Sequence, residues 1–201
     1  MRRTVALIAL LGAIALLAGG RSPADDKKGA ADAKAAMEAM IKAATPGEPH
    51  KRLESMAGTW DVSMQFWMDP SAPPTEAKMT TESKIILDGR YLEEKVSGEF
   101  GGMKFQGQSL VGYDNLQKKY TFAWIDNMGT GIWTASGTYD PDKKTITYQG
   151  EEIDPASGQK MKNKMVVHLI DKDKFEEDMY KVVGDKDIRV MHLTCVRKAA
   201  K

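Results

Sequence analysis

The sequence predicts an all-β protein: an antiparallel up-and-down meander β-barrel of about ten strands, with a short helix before the first strand. Three observations carry this. From Gly58 onward the apolar residues recur with a period of two. Strand-length runs are punctuated by short Gly, Asp, Asn and Pro turns. No segment between them is long enough for a crossover helix, which excludes a parallel sheet. A meander of ten strands leaves two open edges unless it closes on itself, and closure removes them. A sandwich needs longer Greek-key connections than these turns supply.

Residues 1–24 read as a secretory signal peptide. Arg2 and Arg3 are the basic start, Val5 to Ala18 the apolar stretch, and Ser22-Pro23-Ala24 the small residues before cleavage. The apolar run is short of the roughly 20 residues that a spanning helix needs. No membrane span is therefore expected after processing, and the mature chain should be periplasmic or secreted. Residues 25–49 form an Ala/Lys-rich segment with good helix propensity but a thin apolar face, expected to act as a flexible tether. Thr45-Pro46-Gly47-Glu48-Pro49 breaks any helix. His50 to Ala57 can form one short helix, with Leu53 and Met56 on one face.

The barrel domain is expected over 50–201. Trp60, Val62, Met64, Phe66 and Met68 share the apolar face of the first strand, and Met79, Thr81, Ser83, Ile85 and Leu87 one face of the second. Asp88-Gly89 marks a hairpin. The later strands follow at 91–100, 103–113, 119–126, 132–139, 145–153, 160–170, 174–183 and 187–197. Lys78, Glu82 and Lys84 fall on outward faces, where lipid would reject their charge, so a membrane barrel is not expected.

Composition removes several function classes. The chain carries 29 basic and 28 acidic residues, and loss of Arg2, Arg3 and Arg21 with the leader leaves 26 against 28, a net of −2. Its Lys-Lys doublets form no basic stripe, so no nucleic-acid partner is expected. A single cysteine, Cys195, permits no internal disulfide and no Cys-based zinc site. It is expected as a small buried apolar residue. No HExxH, paired CxxC or phosphate-binding Gly loop is present, no metal site is expected, and Ser109 and Ser136 lack a nucleophile context. Glu93-Glu94, Glu151-Glu152 and Glu176-Glu177 are doublets on strands. Neighbours on a strand face opposite sides, so no doublet by itself supplies two carboxylates to one site. An enzyme is thus not indicated, and a non-enzymatic binding protein is favoured.

Pro46-Gly47, His50-Lys51 and Leu53, leading into Ala57-Gly58-Thr59-Trp60, resemble the start of an exported bacterial family known as domain of unknown function 1579. Gly89-Arg90-Tyr91-Leu92, Gly112-Tyr113-Asp114 and Trp124-Ile125-Asp126 with Thr130-Gly131 are similar to its later segments. The resemblance implies a lipocalin-like (calycin) barrel. It also implies that Gly58 and Trp60 on the first strand pack against Arg197 near the C-terminus as a structural closure. A guanidinium over an indole gains cation–π attraction, which supports the pairing. The family implies no agreed activity.

Calycin barrels commonly hold a small apolar ligand. The inward set expected here includes Met64, Phe66, Met79, Leu87, Met165, Val167 and Leu169, and ten strands leave more room than eight. Trp124, Asp126, Asn127 and Thr130 form a polar cluster at the mouth that can orient a ligand; Asp126 and Asn127 can equally cap a turn. Binding of a small, largely apolar molecule is the leading expectation, with no cofactor needed. One alternative is haem binding, as in the nitrobindins, through His192, the barrel histidine whose strand parity permits an inward ring; His168 is expected to face out. The other is a cell-envelope interaction module with a filled core.

Overall fold

In the computed structural model, residues 23–154 and 157–199 are described. The signal-peptide segment therefore lies outside the described residues up to position 22. The chain divides into two units, residues 1–42 and 43–201. In the first, the segment expected as a tether is part of a helix, α1 (Pro23–Ala44), as its run of Ala, Lys and Glu favours. From Lys28 to Lys42 its side chains are all exposed.

The second unit begins with α2 (Glu48–Glu54), followed by ten strands. These are β1 (Gly58–Phe66), β2 (Thr75–Ile86), β3 (Tyr91–Phe100), β4 (Met103–Asp114) and β5 (Lys119–Asp126). They continue as β6 (Trp133–Asp140), β7 (Thr145–Ile153), β8 (Lys160–Leu169), β9 (Lys174–Val183) and β10 (Lys186–Arg197). Each strand pairs antiparallel with its chain neighbour, and β1 pairs with β10, which closes the barrel. The expected meander is thus the observed fold.

One end of the barrel is closed by chemistry that starts at β1. Trp60 is 1% exposed and its indole Nε1 donates to Met56 O at 2.9 Å. It lies in register with Arg197 of β10. The Arg197 guanidinium stacks over the indole with Cζ 4.1 Å from the ring centre. Its nitrogens donate to Ala57 O at 2.7 Å, Ser55 O at 2.8 Å and Lys172 O at 2.9 Å. One cation therefore fastens the α2–β1 connection and the β8–β9 turn to the last strand. Gly58 sits at φ +135°, a region that L side chains rarely adopt, and a Cβ there would collide with Arg197 Nη1. That is the local reason for glycine two residues before this tryptophan.

The helix α2 plugs the same end. Its buried Leu53 and His50 face inward. Gly47 N donates to His50 Nδ1 at 3.0 Å, so the ring accepts at that nitrogen, and burial holds the imidazole pKa below its ordinary value. Arg52 donates to Tyr120 Oη at 2.6 Å and lies 3.6 Å from the centre of the Tyr139 ring. Tyr120, Tyr113, Tyr148 and Phe175 fill the space above with edge-on contacts, among them Trp60–Phe175 at 4.7 Å between ring centres. This end is solid.

Leu87 departs from the expected inward set, and Met68 from the expected apolar face of the first strand. Leu87 is 65% exposed, because the β2–β3 turn starts one residue before Asp88-Gly89. Leu87, Asp88 and Gly89 all take positive φ (50°, 56° and 87°). Met68 is 90% exposed, since β1 ends at Phe66 and the chain then turns away.

Two predictions test the closure. Trp60→Ala should lower unfolding free energy by about 3–5 kcal/mol, as for other buried aromatic truncations. Gly58→Ala should cost roughly 1–3 kcal/mol from backbone strain and the displaced guanidinium. Denaturant midpoints at constant m-value measure both; a shift within error for either would mean that the closure does not hold the barrel.

Candidate functional site

The opposite end of the barrel is hollow. Above the aromatic plug lies a cavity of about 380 Å³. All ten strands run inward-facing residues along the barrel, and the wall of this cavity is mostly aromatic and sulfur-containing. Phe66, Phe100, Phe105, Phe122, Trp124 and Trp133 supply the rings; Met64, Met79, Met165, Met179 and Met191 supply flexible filling. Alternation puts them there: Val62, Met64 and Phe66 of β1 face Met191, Leu193 and Cys195 of β10 across the closing pair. Gly107 makes room for Trp124, whose ring occupies the space that a Cβ would take.

The candidate residues Met64, Phe66, Met79, Met165, Trp124 and Asp126 all line the cavity. Asp126 stands at the end of β5 and accepts from Trp124 Nε1 at 2.7 Å. It also accepts from the backbone N–H groups of Met128 at 2.9 Å and Gly129 at 3.1 Å. It both fixes an indole of the wall and caps a turn. Asn127 is outside the cavity: its amide bridges Gln106 N and Lys104 O at 2.9 Å each and staples the β5 turn to β4. Thr130 lies exposed in the loop beyond.

His192 faces away from the cavity. On β10 it is Met191, Leu193 and Cys195 that line the interior, which leaves His192 on the outer wall. Its Nδ1 meets Asp178 Oδ1 at 2.9 Å, and His168 Nε2 meets Asp178 Oδ2 at 3.3 Å. Arg189 adds a third contact to Asp178 at 3.3 Å. This cluster ties β8, β9 and β10 together from outside, and His192 is not positioned to ligate a haem within the barrel. Cys195 is 3% exposed, and burial raises its thiol pKa far above the ordinary range. It is a packing residue with no reactive character.

The residues that sequence reasoning missed are carboxyls. Each glutamate doublet sends one member inward: Glu94 of β3, Glu152 of β7 and Glu177 of β9 line the cavity. Glu152 is exposed at the rim, whereas Glu94 and Glu177 stand deep in the barrel. Glu94 accepts from Ser109 Oγ at 2.5 Å and Ser83 Oγ at 3.3 Å. Burial raises its pKa, and those two hydroxyls draw it partly back. Glu177 has no hydrogen-bond or ion-pair partner among the described residues. Burial, then the charge of Glu94, push its pKa up to about 8. The side chain is half-buried and lines the cavity. Tyr148 is 2% exposed nearby, and its phenol pKa is raised well above its ordinary value by burial and by Glu94 and Glu177. Strand parity carried this signal. Glu94 shares a face with Leu92 and Val96, and Glu177 with Phe175 and Met179.

The fold and the cavity define a class: a closed ten-stranded antiparallel barrel, plugged at one end and hollow at the other. The chain belongs to the family described as "Protein of unknown function (DUF1579)", whose profile it matches over residues 45–197. No curated protein matches it. Among solved structures it is similar to a redesigned β-barrel, at 17% identity and a TM-score of 0.38, over 73% of this chain and 95% of that one.

The buried carboxyl gives stability a definite pH dependence. The unfolded chain releases the Glu177 proton near the ordinary value of 4.5, the folded protein only near 8. Between those values the native state holds the extra proton, so its stability falls as pH rises through that window. Glu177→Gln should remove most of this slope, with a gain over wild type that grows from pH 5 to pH 8 to a few kcal/mol. Unfolding midpoints across that range test it; parallel profiles for the two proteins would show that Glu177 ionises freely.

Proposed function

We propose that this protein binds a small, largely apolar molecule inside the barrel and acts by sequestering or carrying it. One observation supports the reading above the others: a cavity of about 380 Å³ with a predominantly aromatic and methionine wall, within the size range of small-molecule sites. Rings and thioethers give burial energy without demanding one shape, which suits an apolar guest. Polar groups are few, as expected where they fix orientation and do not supply the main affinity. The basic start and apolar stretch of residues 2–18 support export, so the guest would be met outside the cytoplasm.

N-phenyl-1-naphthylamine, dark in water and bright in apolar surroundings, tests the proposal. The folded protein should give a saturable one-to-one enhancement and quench the tryptophan emission in step, because Trp124 and Trp133 lie in the wall. Val96→Trp places an indole in the cavity and should weaken binding by about tenfold or more, equivalent to about 1.4 kcal/mol, while the thermal transition is retained. Folded wild-type protein that gives no enhancement would refute the reading.

A further inference from the structure

We propose that the molecule held in the barrel carries a cationic head, of the protonated-amine class, seated against Glu177 and Glu94 with its apolar part among the aromatic rings. The inference rests on the binding reading above and makes it specific.

The charge of the wall comes first. Four carboxyl side chains line the cavity, Glu94, Asp126, Glu152 and Glu177, and among the described residues no Lys, Arg or His does. Asp126 is already committed to Trp124 and a turn, and Glu152 is at the rim. The deep pair differs. Glu94 is oriented by Ser83 and Ser109, which fixes its carboxyl and leaves capacity for a further donor. Glu177 has no hydrogen-bond or ion-pair partner among the described residues, although it is half-buried and lines the cavity. A half-buried carboxyl set among apolar walls without a partner loses hydration that nothing in the protein restores, which leaves it open to a donor from a guest. A donor that brings a positive charge is the complement that answers both carboxyls at once, and charge-assisted hydrogen bonds are the stronger kind. A neutral hydroxyl can satisfy a lone pair but offsets no charge.

The apolar wall points the same way. Phe122, Trp124 and Trp133 present ring surface, which attracts an ammonium in a desolvated site. An anionic guest would meet carboxyls and electron-rich ring faces with no counter-charge.

Protons complete the description. The groups that face Glu177 are Glu94 from β3, Tyr148 from β7 and Cys195 from β10; β8 offers Met165 and Val167. None of them is cationic. Glu177 without ligand holds its proton to about pH 8. Seating an ammonium ionises it, so the carboxyl proton leaves to solvent as the ion pair forms and the ammonium offsets the charge that appears on Glu177. Amine binding at neutral pH must therefore release a proton and strengthen as pH rises towards 8.

The test uses the whole protein and three probes of one shape: 1-naphthylmethylamine, 1-naphthylmethanol and 1-naphthoate, titrated calorimetrically at pH 8. The amine should bind about tenfold or more tightly than the alcohol, and the naphthoate weakest. Repeating the amine titration at pH 7 in two buffers of different ionisation enthalpy should show release of about one proton per ligand. Glu177→Gln should erase the amine preference while the cooperative thermal transition is retained, which separates a lost charge contact from a damaged fold. Glu94→Gln should reduce the preference less. Equal binding of amine and alcohol, preference for naphthoate, or an undiminished preference in Glu177→Gln would each overturn the cationic assignment and leave apolar binding standing. If none of the three probes binds the folded protein, the assignment falls together with the binding reading.

Discussion

The Arg197 guanidinium is the interaction on which the rest of the barrel depends. Register in a barrel with one buried face is unforgiving: a slip of a single residue turns every side chain of a strand to the other side. The β1–β10 pair is the seam where a meander either closes or remains an open sheet. Arg197 holds that seam by three backbone acceptors and an indole face. Those acceptors come from the segment before β1 and the turn before β9, so the cation fixes the relative height of both ends of the domain. With this register, Met191, Leu193 and Cys195 face in and His192 faces out. Without it, the cavity would have a different wall.

Closure at one end explains why the two ends differ. Around Arg197 the interior is crowded with Trp60, Phe175, the tyrosines and α2, and their polar atoms are answered: Trp60 Nε1 by Met56 O, the Tyr120 hydroxyl by Arg52. Aromatic residues filling the taper leave no room there for a guest. At the other end the same ten-strand circumference is lined by methionines and by rings that pair along the wall, such as Phe66 with Phe100 and Phe122 with Trp133, and a cavity remains. Wider barrels leave such space unless large side chains or a plug take it. The solid end therefore bears the stability, and the hollow end is free to bind.

The fold was legible in the sequence almost strand by strand because the signal was redundant. Period-two alternation, Asp-Gly and Gly-Gly turns and the lack of crossover segments all favoured the same meander, and observed strands such as Tyr91–Phe100 and Lys174–Val183 coincide with the expected ones. Leu87 was misplaced because the turn there begins with a leucine at positive φ, a conformation that no rule of composition anticipates. The candidate site was legible in its apolar half, where Met64, Phe66, Met79 and Met165 are simply the buried face of their strands. Its polar half was not. Neighbouring glutamates of one doublet face opposite sides of their strand and cannot share a site. The pairing that forms joins Glu94 of one doublet to Glu177 of another, from strands far apart in sequence, and only closure brings those strands across one interior. His192 was undecidable for a related reason, since both faces of β10 carry apolar residues and the pairing with β1 and β9 settles the matter.

The depth of the two carboxyls bears on what such a site selects. A carboxylate at the rim, as Glu152 is, stays hydrated and gives little discrimination, because water competes for it and screens its charge. A carboxyl below a collar of rings is reached only by a group that has shed its own water. Only a partner that brings hydrogen-bond donors and compensating charge recovers that loss. Burial that keeps Glu177 protonated near neutral pH also spares the empty barrel a second charge beside Glu94. The empty state is then tolerated because Glu177 adds no second negative charge beside Glu94. The proposed occupied state is held because the site can become charged. Both properties follow from one choice of side chain on β9, placed where the barrel is apolar enough to raise its pKa and open enough to admit a guest.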